Sequence, residues 1–180
     1  MTESAPIRPT DDEARMRARR LLAVAAHGAL GTIDPDSGAP LVTRIALALS
    51  PEGLPVTLVS DLAAHTRALR ADSRASILIG EPGPRGDPLT HPRLTLRAQA
   101  RFVPHGGDEH VRLRRFYIAQ RPKSALYADF ADFSFVVFEP KGASLNGGFG
   151  KAYSLTRGDL LGVPEKGNPG PHRVDRGAGA

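Results

Sequence analysis

The sequence predicts an α+β fold, mainly β, in which about six to seven antiparallel strands close into a small barrel with flanking helices. Three observations predict it. Segments of period-2 alternation recur along the chain, most clearly over Pro40–Ser50 and Arg93–Pro104. Short turns rich in Pro, Gly and Asp join consecutive segments, as antiparallel hairpins require. The order reads as a helix, several strands, an intervening helix, more strands, a helix and a last strand.

Residues 1–9 are polar and unperiodic and read as a flexible arm. Thr10-Asp11-Asp12-Glu13 has the spacing of a capping box. It opens a helix with an apolar stripe at Ala14, Ala18, Leu21, Leu22 and Ala25, and Gly28 closes that helix at C′. Ala29–Ile33 is a short strand, and Asp34–Gly38 is turn material. In Pro40–Ser50, Val42, Arg44, Ala46 and Ala48 share one face. Pro51-Glu52-Gly53 turns the chain into the strand Val56–Ser60, and a helix ends near Asp72 with Leu62 and Leu69 on its apolar side.

Ala75–Gly80 is almost wholly apolar and reads as a strand that is central or buried on both faces. Glu81–Pro92 is a loop punctuated by proline and glycine. Arg93–Pro104 puts Leu94, Leu96, Ala98 and Ala100 on one face and Thr95, Arg97, Gln99 and Arg101 on the other, which is wet or lines a polar site. Gly107–Gln120 is amphipathic with Val111, Phe116 and Ile118 among its apolar residues, and Arg121-Pro122 ends it. Ser124–Asp129 adds a helical turn. Phe133–Glu139 is a strand that Gly142–Leu145 continues. The folded domain spans 10–155, and a flexible Gly/Pro-rich tail covers 156–180.

Composition removes several function classes. The 180 residues suit one domain with a real core. The absence of cysteine excludes thiolate nucleophiles, disulfides and Cys-based metal centres, and suits a reducing cytoplasm. Neither a signal core nor an apolar run of bilayer length is visible, so no membrane partner is expected. The formal charge of +5 is carried mostly by arginines. Their concentrations at Arg15–Arg20 and Arg112–Arg115 alternate with apolar residues, as solvated helix faces do, so no nucleic acid is expected.

The chemistry concentrates at Pro55–Asp72. A strand running straight into a helix leaves bare amide donors and a positive dipole end at one point. Asp61 is the expected N-cap. Ser60, His65, Thr66 and Arg67 add hydroxyl, imidazole and guanidinium donors there, which makes an anion pocket, most simply for phosphate; a capped surface helix with solvated polar residues is the plain structural alternative. Arg44, on an otherwise apolar face, needs an anion or a carboxylate partner. Asn146–Tyr153 sets glycines around Phe149 and ends with Lys151, marking a tight turn or a close backbone approach.

Taken in order, ARRLLAVAAHGALGTID, LVTRIALAL, LVSDLAAHTRALRADSRASILIG, DPLTHPRLTLRAQARFV and LNGGFGKAY resemble the pyridoxamine 5′-phosphate oxidase-like FMN-binding split-barrel superfamily, most of all its haem-utilisation (HugZ-type) branch. The resemblance covers roughly Ala14 to Leu155. It implies a homodimer of split barrels with a small-molecule ligand at the subunit interface. Carried over, the flavin-binding relatives imply FMN with its phosphate near Arg44, Ser60, His65 and Thr66, and Arg67 and Gln99 join the cofactor-binding set. The haem-utilisation branch implies haem on a similar surface, with Lys151 near it. The first functional expectation is therefore an FMN-dependent oxidoreductase. A haem-binding or haem-degrading protein comes second, and a non-enzymatic flavin or tetrapyrrole-binding module third. No metal ligands and no catalytic residue are assigned from the sequence.

Overall fold

The computed structural model of the chain describes residues 7–148 and 150–162. Eight strands form one antiparallel sheet: β1 (His27–Ile33), β2 (Pro40–Ala46), β3 (Ala48–Leu49), β4 (Pro55–Ser60), β5 (Arg74–Ile79), β6 (Arg93–Phe102), β7 (Phe133–Asn146) and β8 (Ala152–Leu155). The order is β2-β1-β5-β6-β7-β4-β3, with β8 paired to β7. The first and last strands of that order are successive pieces of one predicted strand, split at Leu47. The Leu47 amide donates to the Ala26 carbonyl at 2.9 Å and its side chain enters the core, so the chain passes from pairing with β1 to pairing with β4. That switch closes the sheet into the expected split barrel.

Alternation decides the interior. Leu30, Ile77, Leu94 and Leu96 point inward from β1, β5 and β6, and none is exposed. Val136 and Phe138 join them from β7, and helix α1 (Asp12–Val24) adds Ala14, Ala18 and Leu22 to the same cluster. Burying each large side chain contributes about 1.5–3 kcal/mol. β7 also presents Phe135 and Val137 to its opposite face, where Leu113 and Tyr117 of helix α3 (Asp108–Gln120) cover them. Both faces of this stretch are buried, which accounts for the unbroken apolar run of FSFVVF.

Several local expectations are corrected. Asp11, not Thr10, caps α1, accepting from the Ala14 amide at 2.8 Å, while the Thr10 hydroxyl donates to the Ser154 carbonyl. Gly28 lies within β1 rather than after α1. A Cβ there would stand 2.9 Å from Ile77 Cγ2 and 3.0 Å from Leu47 Cδ1, so close packing accounts for the glycine. Helix α2 (Ala64–Ala71) has no side-chain cap; Asp61 pairs with Arg70 at 2.7 Å instead. Leu62 precedes α2 and is 91% exposed. The buried residues of α3 are His110, Leu113 and Tyr117, leaving Val111 and Phe116 to solvent. A 3₁₀ turn at Pro122–Leu126 replaces the predicted helical turn. β5 is central, yet only Ala75, Ile77 and Ile79 are buried, and Leu78 is 44% exposed on its other face.

The expected tail also begins too early. Thr156 and Asp159 form a capping box for helix α4 (Arg157–Leu161), which buries Leu160, and Arg15 of α1 clamps Asp159 at 2.5 Å. Burial raises the Asp159 carboxyl, but hydrogen bonds from Thr156 and Arg15 outweigh it and hold the group below the usual carboxylate range. At the other end, Arg8 donates its amide to Ala152 at 2.9 Å, beside β8. The rest of the expected arm and tail, residues 1–6 and 163–180, lies outside the described residues.

Candidate functional site

The β4–α2 turn brings Ser60, His65, Thr66 and Arg67 together, but their donors are already engaged. The Ser60 hydroxyl donates to Asp132 at 2.9 Å, and the buried Thr66 hydroxyl donates to the Ser60 carbonyl at 2.7 Å. Arg67 pairs with Asp36 at 3.0 Å. The His65 ring meets the Thr43 hydroxyl at 3.1 Å, and burial lowers its pKa from the ordinary histidine value, so near neutral pH it is a neutral partner rather than a cation. Thr43 and Arg44 point to opposite faces of β2. Arg44 is therefore exposed on the outside of the sheet, away from His65. Lys151 lies elsewhere again, in the β7–β8 hairpin beside Glu13, Arg17 and Tyr153. Its carbonyl accepts from Gly147 and its amide donates to Gly148, so the glycine run is a tight turn there.

A different surface has the shape of a binding site. Among the described residues no helix covers the outer face of β1, β5 and β6, which holds a cleft of about 520 Å³. Its floor is built from small and apolar groups: Gly31, Ile33, Pro40 and Ser76. The register runs Val42, Gly31, Ser76, Arg97 and Gly142 across five strands, so these residues share one row of the face. Val42 is 66% exposed at its end.

The cations of this face have a structural origin. β6 and β7 slip register between Arg97 and Ala98: Arg97 faces Gly142 and Ala98 faces Pro140, leaving Lys141 as the extra residue of a bulge. Lys141 therefore projects outward into the cleft beside Arg97. A Cβ on Gly142 would stand 2.9 Å from Arg97 Nη2, and Gly142 has φ +151°. The glycine thus leaves room for the guanidinium to lie across the sheet. Arg74 at the rim is neutralised by Asp72, whose carboxyl the Arg74 hydrogen bonds pull down to about 2. Gln99, on the same face, donates to Ser73 at 3.2 Å. Arg44, Arg97 and Lys141 have no carboxylate partner among the described residues. The face therefore combines an apolar floor with unpaired positive charge.

Of the residues singled out from the sequence, the outer face holds Arg44 and Gln99, the β4–α2 turn holds four, and the hairpin holds Lys151. Gly31 and Lys141 were not legible as site residues. Arg97 was visible on the wet face of its strand, but nothing in the chain marked it from Arg101.

The chain matches a family model described as CREG, beta-barrel, over residues 9–160. The chain belongs to the CREG β-barrel family. This places it in the FMN-binding split-barrel superfamily, as the ordered segments imply. Among curated proteins it is 36% identical over 116 residues to HOZ, an unconventional chloroplastic haem oxygenase of Arabidopsis thaliana, covering 63% of this chain and 34% of that protein. Among solved structures it resembles a haem-binding protein from Mycobacterium smegmatis at 32% identity with a TM-score of 0.76, covering 87% of this chain and 62% of that one. The chain thus spans about a third of the curated relative and less than two thirds of the mycobacterial protein. Campylobacter jejuni ChuZ shares the fold at 19% identity, with a TM-score of 0.74 and coverage of 92% of this chain and 68% of that one. No helix among the described residues is long and apolar enough to cross a membrane.

Proposed function

We propose that this protein binds haem on the bare outer face of β1, β5 and β6. The observation that carries the reading is the 520 Å³ cleft, apolar in its floor and flanked by Arg97 and Lys141 without carboxylate partners. A porphyrin is a broad apolar plane with two acidic arms, and such a surface suits both parts. The plane would lie on Gly31 and Pro40 beside Lys141, excluding water from them, while the Arg97 guanidinium at the edge of the cleft would meet the acids. The iron would supply any redox chemistry. Among the described residues no histidine lines this cleft. His27 shares the face but pairs with Glu81 at 3.5 Å and lies about 13 Å along β1 from Gly31. The described face thus fits the porphyrin and its acids and provides no imidazole over the cleft.

The haem-linked names of HOZ and the mycobacterial protein support this reading above the FMN-dependent oxidoreductase. The flavin reading rests on the β4–α2 turn as a phosphate pocket, where Ser60, Thr66 and Arg67 already have protein partners. The test is an absorption titration with hemin and, separately, with FMN. The expected result is a saturable Soret shift with hemin, weakened about tenfold by Arg97→Ala. Flavin bands that stay with the protein through gel filtration, with no hemin shift, overturn the proposal and restore the flavin reading.

A further inference from the structure

A second cleft of about 340 Å³ lies on the same outer face, across Arg97 from the first. Its chemistry is different. The pairing of β6, β7 and β8 sets Thr95 opposite Ser144 and Ser144 opposite Ser154, a row of three outward residues bearing hydroxyls. Arg93 and Arg97 flank Thr95 on the same face of β6, two residues to either side, each about 7 Å away along the strand. Arg93 donates to the neutral Leu89 carbonyl at 2.8 Å, and no carboxylate among the described residues pairs with its charge. Asn146 adds a side-chain amide. No Asp or Glu among the described residues lines the cleft. The N-terminal segment walls its outer edge, through the Arg8 amide to Ala152 and the Thr10 hydroxyl to the Ser154 carbonyl at 2.7 Å.

We infer that this polar cleft is a carboxylate subsite, which receives the acidic arms of the ring system seated in the apolar cleft. The inference rests on the haem reading above and adds an orientation to it: acids toward β8 and the N-terminal segment, ring over β1 and β5. Arg97 lines both clefts, so one guanidinium meets the ring edge on one side and a carboxylate on the other. The hydroxyls then donate to the remaining carboxylate lone pairs, which guanidinium groups alone do not fill.

The experiment compares hemin with its dimethyl ester, in which both carboxylates are capped. Wild type is expected to bind hemin about tenfold more tightly than the ester. The double variant Thr95→Val, Ser144→Ala is expected to shrink that ratio at least about threefold while ester affinity holds. Gly31→Val, in the apolar cleft, is expected to weaken both ligands alike. Equal affinity of wild type for acid and ester overturns the subsite and leaves the haem reading standing, as does an acid-to-ester ratio unchanged in a folded double variant. Failure of wild type to bind either ligand overturns both.

Discussion

The outside of this barrel has two halves that belong to one sheet and differ in what covers them. Over β3, β4 and β7, helix α3 packs Leu113 and Tyr117 onto Val56, Phe135 and Val137, and the cluster is dry. Over β1, β5 and β6 nothing packs among the described residues, and the outward positions there carry Gly31, Ser76, Leu78 and Arg97. The difference follows from side-chain size and charge. A helix settles where outward residues are large and apolar on consecutive strands. Glycine, serine and arginine give a helix nothing to bury and a flat ligand something to hold. On the proposed haem reading, one sheet keeps stability and recognition on separate halves of its outer surface.

The comparison breaks most visibly on the covered half. Phe135 is fully buried and stands edge-on to both His110 and Tyr117, with ring centroids 5.3 and 5.5 Å away. Phe135→Ala should cost about 3–5 kcal/mol in denaturant unfolding. A loss under about 1 kcal/mol would mean that α3 contributes little to the folded state.

His110 sharpens the same contrast through pH. It is buried, and its Nε2 has no hydrogen-bond partner among the described residues. Burial first, and the neighbouring His105 second, push its pKa below the ordinary value of 6.5. The folded state therefore resists protonation more than the unfolded chain does. Stability should be undiminished above about pH 6.5 and decline as the pH falls below it toward the folded pKa. His110→Leu should lose this component, so wild type weakens relative to the variant between pH 7.5 and 5. Parallel stability curves for the two proteins would remove His110 as the cause.

The smallest expected effect on stability belongs to the bare half. A Cβ at Gly31 meets only Ser76 atoms at 3.5 and 3.8 Å, an ordinary contact. Gly31→Val should unfold within about 0.5 kcal/mol of wild type, while hemin affinity falls about tenfold or more as the cleft fills. A large loss of stability would show that this face is structural as well.

Much of the barrel was readable because strand alternation is local geometry. Leu94, Leu96, Ala98 and Ala100 had to share a face of β6, and Thr95, Arg97 and Gln99 the other, whatever partner strands arrived. The sequence by itself also determined β1, β4, β5, β6 and β7, the loop at 81–92 and the absence of thiol chemistry, but neither the break at Leu47 nor β8. It could not decide which face would be covered, since Phe135 and Tyr117 meet only after the chain has folded back. Nor could it separate Arg44 from His65, because alternation put Thr43 and Arg44 on opposite faces without saying which face α2 would take. Lys141 entered the cleft through a bulge, which exists only as a mismatch between two strands about forty residues apart. Local periodicity sets where a side chain points, whereas pairing across the chain sets what it points at. In this protein the tertiary structure alone joined the small-residue floor to its cations.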